Sequence, residues 1–206
     1  MLKNLADEMS IKMVANKTID IDDRECYAYG LELLFSKVIF YIVTLILSFL
    51  TGTFAATLVF IAAYMWLRKY SGGYHCKTSE VCLLLSIIIV MINIIIYKLS
   101  IDFINDAMLI VWMTAAGMGY IIILIFSPVA SPNKPITSDE RKKYKIITIL
   151  ISSVIMTVTI LSFYFKCNIA FFPLSYAIII DSALIILTFL AKGGERSNVG
   201  NDGENY

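Results

Sequence analysis

Apolar and polar positions in this chain fall into long blocks rather than short alternations. Uninterrupted apolar runs of roughly 18 residues read as membrane-spanning helices. Six runs can be drawn, at 35–50, 53–67, 81–99, 104–126, 146–165 and 169–191. The first two are short and lie almost end to end, so one long helix is the rival count. Gly52, between Thr51 and Thr53, favours a tight turn between them. The pattern predicts an all-α integral membrane protein of six transmembrane helices, at 35–191.

Residues 1–34 are polar and mixed in charge. They predict an amphipathic segment lying at the membrane interface: two short helices broken near Asn16-Lys17-Thr18, with Asp22 as a cap. A cleaved leader has the opposite pattern, a short basic start and then an apolar core. The glycine-rich polar stretch 192–206 predicts a disordered tail. The fourth run ends at Pro128, Pro132 and Pro135, and proline lacks the amide donor a helix interior needs. Thr137 and Glu140 then have the spacing of a capping box. Ala115, Ala116, Gly117 and Gly119 form a smooth patch suited to close helix approach in lipid. It serves packing within the bundle or a contact between two copies, and spacing does not choose.

Composition agrees with a membrane protein: 59% of the 206 residues are hydrophobic and only 16% charged, against about a quarter charged in soluble domains. The near-neutral balance conceals an asymmetry. With six crossings and a cytoplasmic N-terminus, fifteen of the 17 Lys and Arg residues fall on the cytoplasmic side, leaving only Lys98 and Lys166 outside. That positive-inside bias predicts both termini in the cytoplasm. The loops 68–82 and 127–145 then face the cytoplasm too. Arg141, Lys142, Lys143 and Lys145 form a basic collar, suited to lipid headgroups or to an acidic peptide. No basic face built for nucleic acid is evident.

Candidate chemistry concentrates in 71–82, which holds the chain's single histidine, His75, and the thiols of Cys76 and Cys82. A cytoplasmic disulfide is disfavoured by the reducing compartment. A closed zinc site wants four ligands, and no second pair is nearby, so no metal or other cofactor is expected. Asp20, Asp22 and Asp23 read as a solvated acidic turn. Cysteine–histidine catalysis remains: a thiolate attacks and an imidazole activates it. Cys82 lies at the start of the third run, with Thr78 or Ser79 as caps, where the helix dipole favours a thiolate. His75 precedes it by seven residues. On one helix that separation is about 10 Å along the axis, too far for a hydrogen bond. For the two to work together, His75 must lie on a loop that folds back over the helix start. Gly72 and Gly73 supply its conformational freedom.

Asp181, within the last run, is an ionisable group at membrane depth and so a candidate functional residue. A structural contact with Asn93 is its simpler explanation. Glu32 is a candidate substrate contact. A small transporter of peptide or another solute is the competing reading from a different class. It lacks the inverted repeat and paired broken helices of many transporters, although Pro173 is a candidate kink. A thiol redox protein would want paired cysteines near the oxidising face, where only Cys167 stands.

The stretch Arg68-Lys69-Tyr70-Ser71-Gly72-Gly73-Tyr74-His75, with Cys82 seven residues on, resembles the accessory gene regulator B family, AgrB. So does Pro128-Val129-Ala130-Ser131-Pro132-Asn133-Lys134-Pro135 with its following basic run. The resemblance spans nearly the whole chain. It implies a cysteine endopeptidase of peptide quorum sensing in the bacterial cell membrane. Such a protein cuts the C-terminal tail from an AgrD-type precursor peptide and closes the remainder into a thiolactone, as part of virulence regulation. Carried over by motif, Cys82 is the nucleophile and His75 its base. Gly72, Gly73 and Asp181 are candidate supporting residues. Arg68, Glu32 and the basic collar are candidate substrate contacts. A homodimer is left open.

Overall fold

The computed structural model describes residues 2–72, 78–103, 105–129 and 138–201; of 138, 139 and 191–201 the backbone alone is described. His75, Gly73, Cys76, Lys77 and the Thr137 cap lie outside the described residues. Among the described residues all regular structure is helical. The helices are α1 (Leu2–Ala15), α2 (Arg24–Leu50), α3 (Phe54–Ser71), α4 (Ser79–Asp102), α5 (Asp106–Phe126), α6 (Ser138–Tyr164) and α7 (Asn168–Asn201).

The expected break after Ala15 is present. Lys17 takes a left-handed backbone, φ 56°, and the chain restarts at Arg24. The second helix, however, does not stop at residue 34. α2 is a single 27-residue helix that joins the second half of the supposed interfacial segment to the first apolar run. Nothing between Arg24 and Leu50 breaks it, and each added residue gains one hydrogen bond once a helix is nucleated. Asp23, not Asp22, holds the N-cap position, and its side chain makes no capping bond. α7 likewise carries helical backbone through residues 192–201, where a disordered tail was expected.

α2 and α3 are separate helices, with Gly52 between them at φ +70°. Among the described residues five helices are long and apolar enough to cross a membrane: α2, α4, α5, Glu140–Tyr164 of α6 and Asn168–Leu190 of α7. α3 does not join them. Its apolar part runs only from Phe54 to Leu67 before Arg68 and Lys69 enter the last turn. At 1.5 Å per residue that is about 21 Å, short of a hydrocarbon core of roughly 30 Å.

The chain divides into two compact units, 1–52 with 76–92, and 53–75 with 93–206. In the first, α1 packs on α2. In the second, α7 packs against α3, α5 and α6. Within its membrane-length window 67% of α7 is buried, against 28% or less for the other four. Its aromatic residues knit that unit. Phe171 meets Phe163, Phe172 meets Trp112, and Tyr176 meets Phe60 with centroids 5.3 Å apart.

Polar side chains on these helices close on their own backbones. Thr148, Thr159, Ser175 and Thr188 donate to the carbonyl four residues earlier at 2.7–2.8 Å. That bond satisfies a hydroxyl without water, while Val111, Met118 and Val154 stand more than 60% exposed. Apolar surface outside and self-satisfied hydroxyls inside suit a lipid surround.

The small-residue patch on α5 is used inside the second unit. Ala116 and Gly119 are buried, and a Cβ on Gly119 would come within 3.0 Å of Ser182 Oγ and 3.2 Å of Ile178 on α7. A Cβ on Gly117 would meet nothing within 4 Å.

Candidate active site

In the first unit the thiol of Cys82 stands in the opening turn of α4. Thr78 caps that turn: its Oγ1 accepts from the Val81 amide at 3.4 Å, and its carbonyl accepts from the Cys82 amide at 3.1 Å. The next turn is tied to the same residue, since Ser86 Oγ donates to the Cys82 carbonyl at 2.8 Å. Cys82 is half-buried and in no disulfide. The first amides of any helix lack an intrahelical acceptor and sit at its positive end. A carbonyl attacked by this thiol would develop its negative charge in that field.

Ser79 lies three residues before Cys82, on the same side of α4. Its hydroxyl donates to Glu32 Oε1 of α2 in a short hydrogen bond. Glu32 is thereby brought to the helix end that carries Cys82, which its separation of fifty residues in sequence does not reveal.

In the second unit a polar group gathers where α3 ends. Ser71 Oγ donates to Asp181 Oδ1 of α7 at 3.0 Å, and Arg68 Nη1 donates to the Gly72 carbonyl at 2.7 Å. Asp181 is fully buried. Gly72 forms an isolated parallel bridge with Val129, in which the Val129 amide donates to the Ser71 carbonyl at 2.9 Å. Gly72 has φ +76°, and a Cβ there would lie 2.1 Å from the Val129 carbonyl oxygen. It is thus held in a fixed place by its neighbours rather than serving as a free hinge. Asp181 meets Ser71, not Asn93: the buried Asn93 Nδ2 has no hydrogen-bond partner among the described residues.

The basic collar divides by role. Arg141, Lys142 and Lys143 are exposed. Lys145 instead turns back to the end of α5, where its ammonium donates to the carbonyls of Leu124 and, at 2.8 Å, Ser127. Those carbonyls have no partner within their own helix, and a cation there also suits the helix dipole. Lys145 is therefore engaged as a helix cap, and the outward charge of the collar rests on the other three. Among the described residues no three His, Cys, Asp or Glu side chains gather as metal ligands would.

Sequence reasoning did not single out Ser71 or Val129 as partners. Ser71 carried one signal, a hydroxyl beside the glycine pair at the end of an apolar run. Val129 carried none, because its role is played by its backbone.

These features define an all-helical protein with several apolar, membrane-length helices and a free thiol at a capped helix start. Residues 6–190 match the accessory gene regulator B family, and the chain belongs to that family. It is 32% identical over 145 residues to a protein described as AgrB-like from Clostridium perfringens, covering 69% of this chain and 68% of that one. It is 31% identical over 138 residues to accessory gene regulator protein B of Staphylococcus carnosus, covering 66% and 68%. The protein of the same name from Staphylococcus intermedius is 26% identical over 159 residues, covering 77% and 81%. No solved structure matches the chain.

Proposed function

We propose that this protein is a membrane cysteine endopeptidase of the accessory gene regulator quorum-sensing system. It removes the C-terminal tail of an AgrD-type precursor peptide and cyclises the remainder. The observation that carries this reading is the setting of Cys82. It is a free, half-buried thiol in the first turn of α4, seven residues after the chain's one histidine and inside the region that matches the family.

His75 accepts the proton of the Cys82 thiol, and the thiolate attacks the scissile carbonyl. Amides at the start of α4 receive the developing oxyanion. Collapse breaks the C–N bond, and the tail leaves with its new amine protonated by His75. The peptide is then held on Cys82 as a thioester. His75, now neutral, takes the proton of the peptide's own cysteine; that thiolate attacks the thioester, closing a thiolactone ring and expelling the Cys82 thiolate, which takes the proton back from His75. One thioester replaces another, so the exchange is nearly balanced. A membrane-edge site that limits water protects the intermediate from hydrolysis.

In this reading the protein lies in the bacterial cell membrane with both termini and the 68–82 loop in the cytoplasm. α3 completes a sixth crossing despite its short apolar part. Arg141, Lys142 and Lys143 hold the acidic tail of the precursor.

The test is Cys82→Ala and Cys82→Ser beside Cys76→Ala, each reconstituted in liposomes with the precursor peptide encoded next to its gene. Mass spectrometry follows tail release and any covalent adduct. The expected result is loss of cleavage in both Cys82 variants alone, with a peptide thioester on wild-type Cys82. Continued cleavage without the thiol would overturn the reading and favour a transporter.

A further inference from the structure

The groove between α3 and α6 has no task in that chemistry. The two helices pack against each other within the second unit. They leave a cavity of about 390 Å³ lined by Ala62, Ala63 and Trp66 of α3 and by Leu150, Val154 and Ile155 of α6. That size falls within the roughly 300–1,000 Å³ of ligand sites. Ala63 and Ile155 form a buried floor, while Trp66, Leu150 and Val154 stand at least 60% exposed as its rims. The adjacent alanines make the space, and a larger side chain at Ala62 would occupy it.

One end of the groove is basic. Lys69 follows Trp66 by three residues and Lys143 precedes Leu150 by seven, so each shares the helix face that lines the groove. Both are exposed. They come to one level, because each directly precedes a tyrosine of the Tyr70–Tyr144 pair, whose ring centroids are 5.9 Å apart. Lys69 Nζ lies 5.2 Å from the Tyr70 centroid, which keeps its ammonium beside that pair. By register Arg141 and Lys142 fall on other faces of α6, and Glu140 stands nearly a turn farther from the groove than Lys143.

We propose that this groove binds one anionic phospholipid, with an acyl chain along Ala62, Ala63 and Trp66 and the phosphate at Lys69 and Lys143. Lipid chains are as apolar as the helices they meet, so burial of the chain does not select one lipid over another. The void sets where a chain rests, since the chain supplies contacts that no side chain makes there. The lysines select the headgroup, holding a net negative phosphodiester over a zwitterionic one. Basic pockets between membrane helices take such headgroups. The apolar part of α3 ends at Leu67, so Lys69 stands where the hydrocarbon stops, and Trp66 takes the place of an aromatic at that boundary. The proposal does not rest on the peptidase reading. Lys143 is shared with the segment that holds the peptide tail, whereas Lys69 and the groove are not.

The test uses the full chain in phosphatidylcholine vesicles that contain a set share of a lipid with brominated chains, either phosphatidylglycerol or phosphatidylcholine. Bromine quenches tryptophan on contact. A Trp112→Phe background keeps a ring against Phe172 and leaves Trp66 as the single tryptophan. The readout is the relative affinity of the two lipids at Trp66. Phosphatidylglycerol should be preferred by about thirtyfold. Lys69→Gln and Lys143→Gln should each lower that preference about fivefold, and together they should abolish it. Ala62→Phe fills the groove and should also abolish it. Val154→Phe fills it from the opposite wall and should do the same, so a folding defect in one variant does not decide the result. Lys37→Gln removes an exposed charge of α2 outside the lining and should change nothing. Equal affinity for the two lipids, a preference that survives both groove-filling variants, or an equal loss in Lys37→Gln would overturn the proposal. So would loss of the preference on adding glycerol phosphate, which would mark an anion site that needs no chain. Absence of quenching by either lipid would overturn it in favour of a second copy or a peptide in the groove.

Discussion

The Val129 amide donates to the Ser71 carbonyl at 2.9 Å, and it reaches that carbonyl because the next residue, Gly72, has no side chain. Gly72 has φ +76° and ψ −145°, a region open to almost no residue but glycine. Other residues held in such regions cost on the order of 1–3 kcal/mol. A methyl group would also strike the Val129 carbonyl oxygen.

Gly72→Ala should therefore separate the end of α3 from residues 127–129 and abolish tail release. Hydrogen exchange at the Val129 amide checks this directly. It should become at least about tenfold faster, matching loss of more than 1.4 kcal/mol of local stability. Unchanged protection would contradict the bridge.

The glycines of α5 should respond oppositely to one substitution. Gly119→Ala places a Cβ against Ser182 and Ile178, whereas Gly117→Ala meets open space. The first should destabilise by about 1 kcal/mol or more through overpacking. The second should be neutral or slightly stabilising, because alanine is the better helix former by about 1 kcal/mol. Thermal unfolding in detergent measures both.

Within the basic segment, stability and substrate preference should separate. Lys145→Met leaves the terminal carbonyls of α5 without their cation and should cost about 1.5–3 kcal/mol, read as a lower Tm. Neutralising Arg141, Lys142 and Lys143 together should leave Tm nearly unchanged. It should weaken processing of an acidic-tailed peptide more than a neutral-tailed one. The wild-type preference should also fade as salt rises past about 0.15 M, since exposed charges are screened. Equal losses for both peptides would exclude a role for this charge in tail binding.

Glu32 and Ser79 should behave as one unit. Glu32→Ala and Ser79→Ala each remove the link between α2 and the first turn of α4. Their effects on amide exchange over residues 79–82 should be similar, and the double variant should equal the single ones. A coupling of about 0.5 kcal/mol or more is expected for a charged hydrogen bond. Additive effects would show that the two act separately.

The long apolar blocks were readable because lipid imposes a simple rule: a spanning helix must be apolar along its length and satisfy its own backbone. Four of the apolar runs, at 81–99, 104–126, 146–165 and 169–191, correspond to α4, α5, α6 and α7, and Gly52 marks the turn between α2 and α3. The start of α2 was misplaced because it follows from continuity of the helix, while hydropathy registers only where the polar stretch stops. α3 was counted as a span on its block of apolar residues, and that block is shorter than the others because Arg68 and Lys69 enter its last turn. Spacing alone brought Cys82 to a helix start with Thr78 or Ser79 as cap, since capping is local, and the structure chose Thr78.

By itself, then, the sequence determined what depends on near neighbours: helical segments, the capped turn of Cys82, the glycine requirement at a turn and the family to which the chain belongs. Tertiary structure alone decided which of the polar residues meet. Asp181 lies 110 positions from Ser71 and Glu32 lies 47 from Ser79, and no local pattern encodes such pairings. The same holds for Lys145, whose place in a basic run looks like its neighbours' until α5 presents carbonyls to it. Helix packing brings these groups within 3 Å or so of one another. There a hydrogen bond to a charged group contributes about 1.5–3 kcal/mol, and no pattern of hydrophobicity records it.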